Sequence, residues 1–272
     1  MIKRSVRQGA RLVGLLVPGL VALAGGSTVA LAGDVQARYG ISLAGLSLGK
    51  AVLQGSLNGA DYDLNVSATL TGLVGAVSKG RGAATARGGL GNGSVLTNGF
   101  SLSATNGTDS RTIQMAATSG SVRSVVIEPP FEDKAPEQRV PLSEKDKLNV
   151  MDPISALIMP AKAADPLDAA NCNRTLPVFD GTQRFNIVLS YAGKQAVKTG
   201  SYAGTALVCS ARYVPVAGHR PERRVTKFMV ENKAMDAWLV PVNGGKQLIP
   251  YRISVKTMIG TAVVEAESFN PG

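Results

Sequence analysis

The chain has 272 residues, 44% of them hydrophobic and 18% charged, with 31 Gly, 14 Pro, one His, two Cys and a formal charge of +10. That length buries one large core or two small ones, and the composition excludes collagen, a coiled coil and wholesale disorder. Zinc sites and histidine triads lack the residues they draw on, so no cofactor is expected and the chain does not read as an enzyme.

Residues 1–32 read as an export signal. Lys3, Arg4, Arg7 and Arg11 make a positive start, an apolar run follows over 12–24, and Ala30-Leu31-Ala32 supplies the small residues of a cleavage site. Pro18, Gly19 and Gly25-Gly26 break the run below the roughly 20 residues a membrane-spanning helix needs. Cleavage removes four basic residues and no acidic one, leaving 25 basic against 19 acidic, a net charge of +6. No later stretch is apolar enough to span a bilayer, so a periplasmic protein, soluble after cleavage, is expected. In that oxidising compartment Cys172 and Cys209 are expected to form a structural disulfide.

After the signal, apolar and polar residues alternate over short runs bounded by Gly, Asn and Asp, the pattern of half-buried antiparallel strands. The first predicted strands are 38–43, 49–57 and 62–70, the last two joined by a hairpin at Asn58-Gly59. The Gly-rich stretch 72–99 is expected to hold two bent strands, and 95–104, 112–117 and 121–127 continue the meander. Residues 128–149 interleave Pro129, Pro130, Pro136 and Pro141 with charge and read as a loop or mobile linker. Asp152-Pro153 then starts a short helix that runs to Met159 and is stopped by Pro160. Strands resume at 175–179, 184–191, 200–214, 223–232, 235–241, 248–257 and 261–269. So many strands do not fit one flat open sheet. The expected fold is all-β: a strongly curved antiparallel sheet or open half-barrel with one short central helix, as a single domain over 33–272.

Tyr39-Gly40-Ile41-Ser42-Leu43-Ala44-Gly45-Leu46-Ser47-Leu48-Gly49 resembles the opening of domain-of-unknown-function family 3108, uncharacterised envelope proteins of Gram-negative bacteria. Asp152-Pro153-Ile154-Ser155-Ala156-Leu157 is similar to its central Asp-Pro helix, Leu176-Pro177-Val178-Phe179-Asp180-Gly181 to its mid-chain turn, and Leu248-Ile249-Pro250-Tyr251-Arg252-Ile253 to its penultimate strand. The resemblance spans nearly all of the chain after the signal. It implies an exported β-rich protein without an established activity, and it carries no catalytic residue onto this chain.

Gly45-Leu46-Ser47-Leu48-Gly49 matches Gly-x-Ser-x-Gly, but a strand pattern follows where a nucleophile elbow needs a helix, so Ser47 reads as a turn residue. His219, in the Gly- and Pro-bearing tip 217–224, reads as a solvated loop histidine. In the same tip Arg220, Arg223 and Arg224 form a candidate anion patch, because guanidinium groups pair bidentately with phosphate or carboxylate. Residues 184–256 hold twelve Lys or Arg against Glu222, Glu231 and Asp236. This excess reads first as solvated strand positions and second as a side for anionic lipid or polymer. Nucleic acid is not expected, since few aromatics accompany the basic residues. The apolar helix carrying Ile154, Leu157, Ile158 and Met159 is too short to stand alone and is expected inside the curve of the sheet, as a plug or as a lid.

Two function classes follow. The first is a non-enzymatic envelope protein acting through its surface or strand edges on an envelope partner. The second is a carrier or chaperone of an apolar acyl or lipid ligand on the concave face. A side-chain-filled interior favours the first, and an apolar cavity under the helix favours the second.

Overall fold

In β1 (Asp34–Leu43), Val35, Ala37 and Tyr39 are buried while Asp34, Gln36 and Arg38 are exposed, so the period-two pattern turns one face of the strand to the core. The strands that follow are β2 (Leu46–Asn58), β3 (Asp61–Leu70), β4 (Gly80–Gly91), β5 (Ser94–Asn106), β6 (Asp109–Thr118) and β7 (Ser121–Glu128). A crossing segment, 129–173, contains β8 (Met159–Pro160), and then come β9 (Arg174–Phe179), β10 (Arg184–Lys198), β11 (Ala203–Ala217), β12 (Met235–Val242), β13 (Gln247–Thr257) and β14 (Gly260–Asn270). The computed structural model describes residues 34–71, 80–91, 93–133 and 135–272. Within them the strands form one antiparallel sheet in the order β7-β6-β5-β4-β3-β2-β1-β14-β13-β12-β11-β10-β9, with β8 paired to β13. The export signal expected over 1–32 lies outside the described residues, as do residues 72–79 of the Gly-rich stretch, whose remainder gives β4 and the start of β5.

The sheet is curled but not closed. Register shifts at Arg38/Tyr39, Arg87/Gly88, Trp238/Leu239 and Tyr191/Gly193 mark bulges, which bend a strand and increase its twist. One core cluster accordingly gathers Met115 and Val122 from one end of the sheet with Val178 and Phe179 from the other. Gly181, in the β9–β10 turn at φ 99°, sits where a Cβ would come within 3.0 Å of Ile113. Among the described residues no helix is long and apolar enough to cross a membrane.

Residues 128–149 are not a free linker. They hold two 3-10 turns, Pro136–Gln138 and Glu144–Lys147, and are tied to the end of β11: Val140 N–H donates to the His219 carbonyl (2.9 Å) and Gly218 N–H to the Val140 carbonyl (2.8 Å). Met151 then bonds to β9 through Pro177 and Phe179, covering part of that edge.

Two predicted elements are corrected. The helix expected at 152–159 is a single 3-10 turn, Ser155–Leu157, followed by extended Ile158. Nucleating a helix costs more than so short a run returns, whereas pairing Met159 with Leu248 of β13 satisfies the backbone at once. Conversely, residues 223–232, expected as a strand, form α1 (Arg224–Glu231). Thr226, Phe228 and Met229 are its half-buried residues, and Met229 packs against the cluster around the disulfide. That disulfide joins Cys172 to Cys209 (S–S 2.02 Å) and fastens the end of the crossing segment to β11.

Candidate functional site

The crossing segment passes through the interior on a buried polar anchor. Asp152 is 0% exposed, and its Oδ1 accepts the backbone N–H groups of Ile154 and Ser155, both at 2.9 Å. Its Oδ2 accepts the hydroxyls of Thr97 (2.9 Å) and Ser155, while Asp152 N–H donates to Thr97 Oγ1 (3.2 Å). Tyr62 and Ser155 share a hydroxyl–hydroxyl bond of 2.6 Å. Burial pushes the Asp152 carboxyl above its usual range against the pull of these bonds, and burial pushes the Tyr62 hydroxyl up to about 12. Every oxygen is satisfied, so the network rigidifies the turn against β3 and β5. Ser155 is itself fully buried, which makes the cluster a fastening and not an exposed nucleophile.

Beyond this anchor the segment borders two apolar cavities. The larger, about 180 Å³, lies between Leu157 and Met159 on one side and Ile187, Leu189, Leu239 and Ile253 on the other. The smaller, about 110 Å³, lies between Leu157 and the β1–β3 residues Tyr39, Leu53 and Val66. Leu157, Pro250 and Ile253 wall both. Polar atoms are nearly absent from either surface: Tyr39 donates its hydroxyl to the Pro250 carbonyl (2.7 Å), and Asp236 and Ser254 are the polar residues bordering the larger space. A broader depression of about 520 Å³ over β3–β7 is different in kind, being shallow and lined by Asp63, Asn65, Arg87 and Gln114.

The predicted site residues are distributed unequally. Leu157 and Met159 reach the larger cavity, Ile158 is fully buried in the main core, and Ile154 packs half-buried against it, on a turn rather than a helix. The three arginines differ in what they meet. Arg220 and Arg139 both bind the Asp133 carboxylate, while Arg223 and Arg224 are exposed at the start of α1. Partial burial pushes the Asp133 carboxyl up, but the Ala135 N–H and the Arg220 and Arg139 guanidiniums outweigh it and hold it below the usual range. His219 is buried, not solvated, and burial lowers its pKa although a backbone bond at Ala217 opposes the shift. Its carbonyl takes part in the backbone pairing with Val140. Ser47 lies exposed in β2 with a strand on both sides of its turn.

Sequence reasoning missed Tyr62 and Thr97 as partners of the turn because they lie 93 and 55 residues from Ser155 and Asp152, beyond any local spacing. It missed Pro250 and Ile253 because the bulge at Trp238/Leu239, which brings them to one wall, breaks the alternation. The Asp-Pro-Ile-Ser spacing itself was a usable signal, since an Asp three residues before a Ser places both at a helix-like first turn.

The family described as "Protein of unknown function (DUF3108)" matches residues 36–267. Among solved structures, the chain is similar to a beta-barrel-like protein of domain of unknown function DUF1849 from Brucella abortus. That likeness has a TM-score of 0.50 and 10% identity, and it covers 88% of this chain and 98% of that one. At that identity it bears on the fold alone. No curated protein matches the chain.

Proposed function

Because the chain belongs to the DUF3108 family of proteins of unknown function, we propose its role from its own geometry: a non-enzymatic envelope carrier that shelters an acyl or lipid chain beneath residues 152–160. The observation that carries this reading is the larger cavity, whose lining is almost wholly hydrocarbon. At about 180 Å³ it exceeds the roughly 150 Å³ at which an apolar cavity stays dry and takes up a small apolar guest. The second space lies behind Leu157, and the two taken together approach the lower end of ordinary ligand sites, about 300 Å³. The envelope setting is supported by the disulfide together with the signal-like sequence over 1–32.

Native mass spectrometry of protein purified from the envelope, with titration of a fluorescent fatty acid, tests the proposal. The wild type is expected to hold about one acyl ligand, and Ile253→Trp, which fills both cavities from their shared wall, to lose it while keeping its melting temperature within a few degrees. No ligand on the wild type, or equal binding by the variant, would overturn it. The interaction reading keeps one specific support: β7 is an end strand of the sheet and carries exposed Val126.

A further inference from the structure

We infer that the rim formed by the β1–β2 and β13–β14 turns docks on an anionic lipid bilayer, an inference that rests on the carrier reading for the ligand that would pass there. The two turns are neighbours: Ala44 N–H donates to the Thr261 carbonyl (2.9 Å), and a Cβ on Gly260 would meet the Ala44 Cβ. Their tips are apolar and face water, with Ile259 65%, Leu46 58% and Met258 47% exposed. Two-residue hairpin turns usually take Asn, Asp or Gly. Here the turn is held by Thr257, whose hydroxyl donates to the Gly260 carbonyl (2.6 Å) and accepts from Ile259 N–H (3.3 Å). Met258 and Ile259 therefore project without holding the turn together, and large apolar side chains at protruding tips are a costly way to meet water.

The charge around these tips is complementary to an anionic surface. Exposed Lys256 stands two residues before Met258. Exposed Lys233 is held beside it, because Asn232 Nδ2 donates to the Lys256 carbonyl (2.8 Å) and Lys256 N–H to the Ala234 carbonyl (2.9 Å). Neither lysine pairs with a carboxylate among the described residues, and the acidic group of that loop is Glu231 at the end of α1. Protruding apolar tips with lysines behind them suit a soft apolar layer under negative headgroups better than a rigid protein groove. The rim also lies close to the larger cavity. Met235, Ser254 and Val255 border that cavity, and Val255 precedes Met258 by three residues, roughly 10 Å of strand. Burying the tips to the usual interfacial depth of about 5–10 Å would bring that end of the cavity to the headgroups.

Flotation with unilamellar vesicles of phosphatidylethanolamine and phosphatidylglycerol, against vesicles of phosphatidylcholine alone, tests the inference on the purified protein. The wild type is expected on the anionic vesicles, less so at high salt. The double variant Met258→Ser/Ile259→Ser, and independently Leu46→Ser on the other turn, should weaken partitioning, the double variant by about tenfold or more. Lys233→Glu/Lys256→Glu should abolish the preference for anionic lipid, and Val126→Ser, equally exposed but on β7, should bind like the wild type. Wild type that stays off anionic vesicles, or a tip variant that binds them undiminished, overturns the docking surface. Binding of the monomeric fluorescent fatty acid is read in parallel: if it persists when vesicle binding fails, the docking inference alone is lost, and if it is absent while vesicles are bound, the carrier reading alone is lost.

Discussion

Asp152 is a carboxylate that the fold uses without a counter-charge, and its protonation is therefore coupled to stability. Burial raises its folded-state pKa above the ordinary value of 3.8, so the native state keeps the proton over a pH range in which the unfolded chain has released it. Its contribution is fully present below the unfolded value and is lost as pH rises through the folded value. Replacing it by Asn, which can still accept from Ile154 and Ser155, should flatten the fall of the urea midpoint as pH rises above about 4; matching slopes for variant and wild type would count against a raised Asp152 pKa in the folded protein. Asp133 acts with the opposite sign, because its net shift is downward: its contribution is present above 3.8 and disappears in acid. The disulfide works through the unfolded state. Cys172 and Cys209 are 37 residues apart, and the chain-entropy estimate for such a loop is about 4 kcal/mol. The paired variant Cys172→Ser/Cys209→Ser should lower the denaturation free energy by an amount approaching that figure, with acyl binding per folded molecule retained.

Among the elements, the 152–160 crossing shows both how far the sequence could be read and where reading stops. Asp152, Ser155 and Pro160 announced a turn that starts like a helix and ends after a few residues. Its 3-10 form and its extended exit depend on β13, a strand almost a hundred residues later, which no local pattern reveals. Residues 223–232 failed differently: Thr226, Phe228 and Val230 alternate as a strand would, while Val225, Phe228 and Met229 have helical spacing, and docking against β11 decides between them. Strands such as β1 and β3 were legible because they turn one face inward, and Asn58-Gly59 marked a real hairpin, whereas β13 buries five residues in a row from Gln247 to Tyr251. The cavities were anticipated only as a question, since whether side chains fill a curved sheet depends on bulges and on Leu157. Leu157→Ala removes much of the wall common to both cavities. It should admit a longer acyl chain with higher affinity, at a stability cost of about 2 kcal/mol, the low end for a leucine because Leu157 is half-buried; unchanged affinity across a chain-length series would show that the two spaces do not join.

At the scale of the molecule, the strand order has a simple property. Each strand pairs with its neighbours in sequence, except at β1–β14, where Gln36 faces Asn270, and at the crossing segment, which connects the two outer strands β7 and β9. The chain is thus an up-and-down meander, cut in the middle and rejoined across its ends. Nearly all of its pairings are hairpins that can form early, but the sheet becomes continuous only when the first and last strands of the domain find each other across the whole chain. That single closure bears the largest entropy of any contact in the fold and should set the folding rate. A circular permutant that links Gly272 to Asp34 through a short Gly-rich connector, which keeps the buried Val35, with new ends opened between Lys162 and Asp168, converts the closure into one more hairpin. Stopped-flow refolding of the permutant should be about tenfold or more faster than that of the natural order, with little change in unfolding rate.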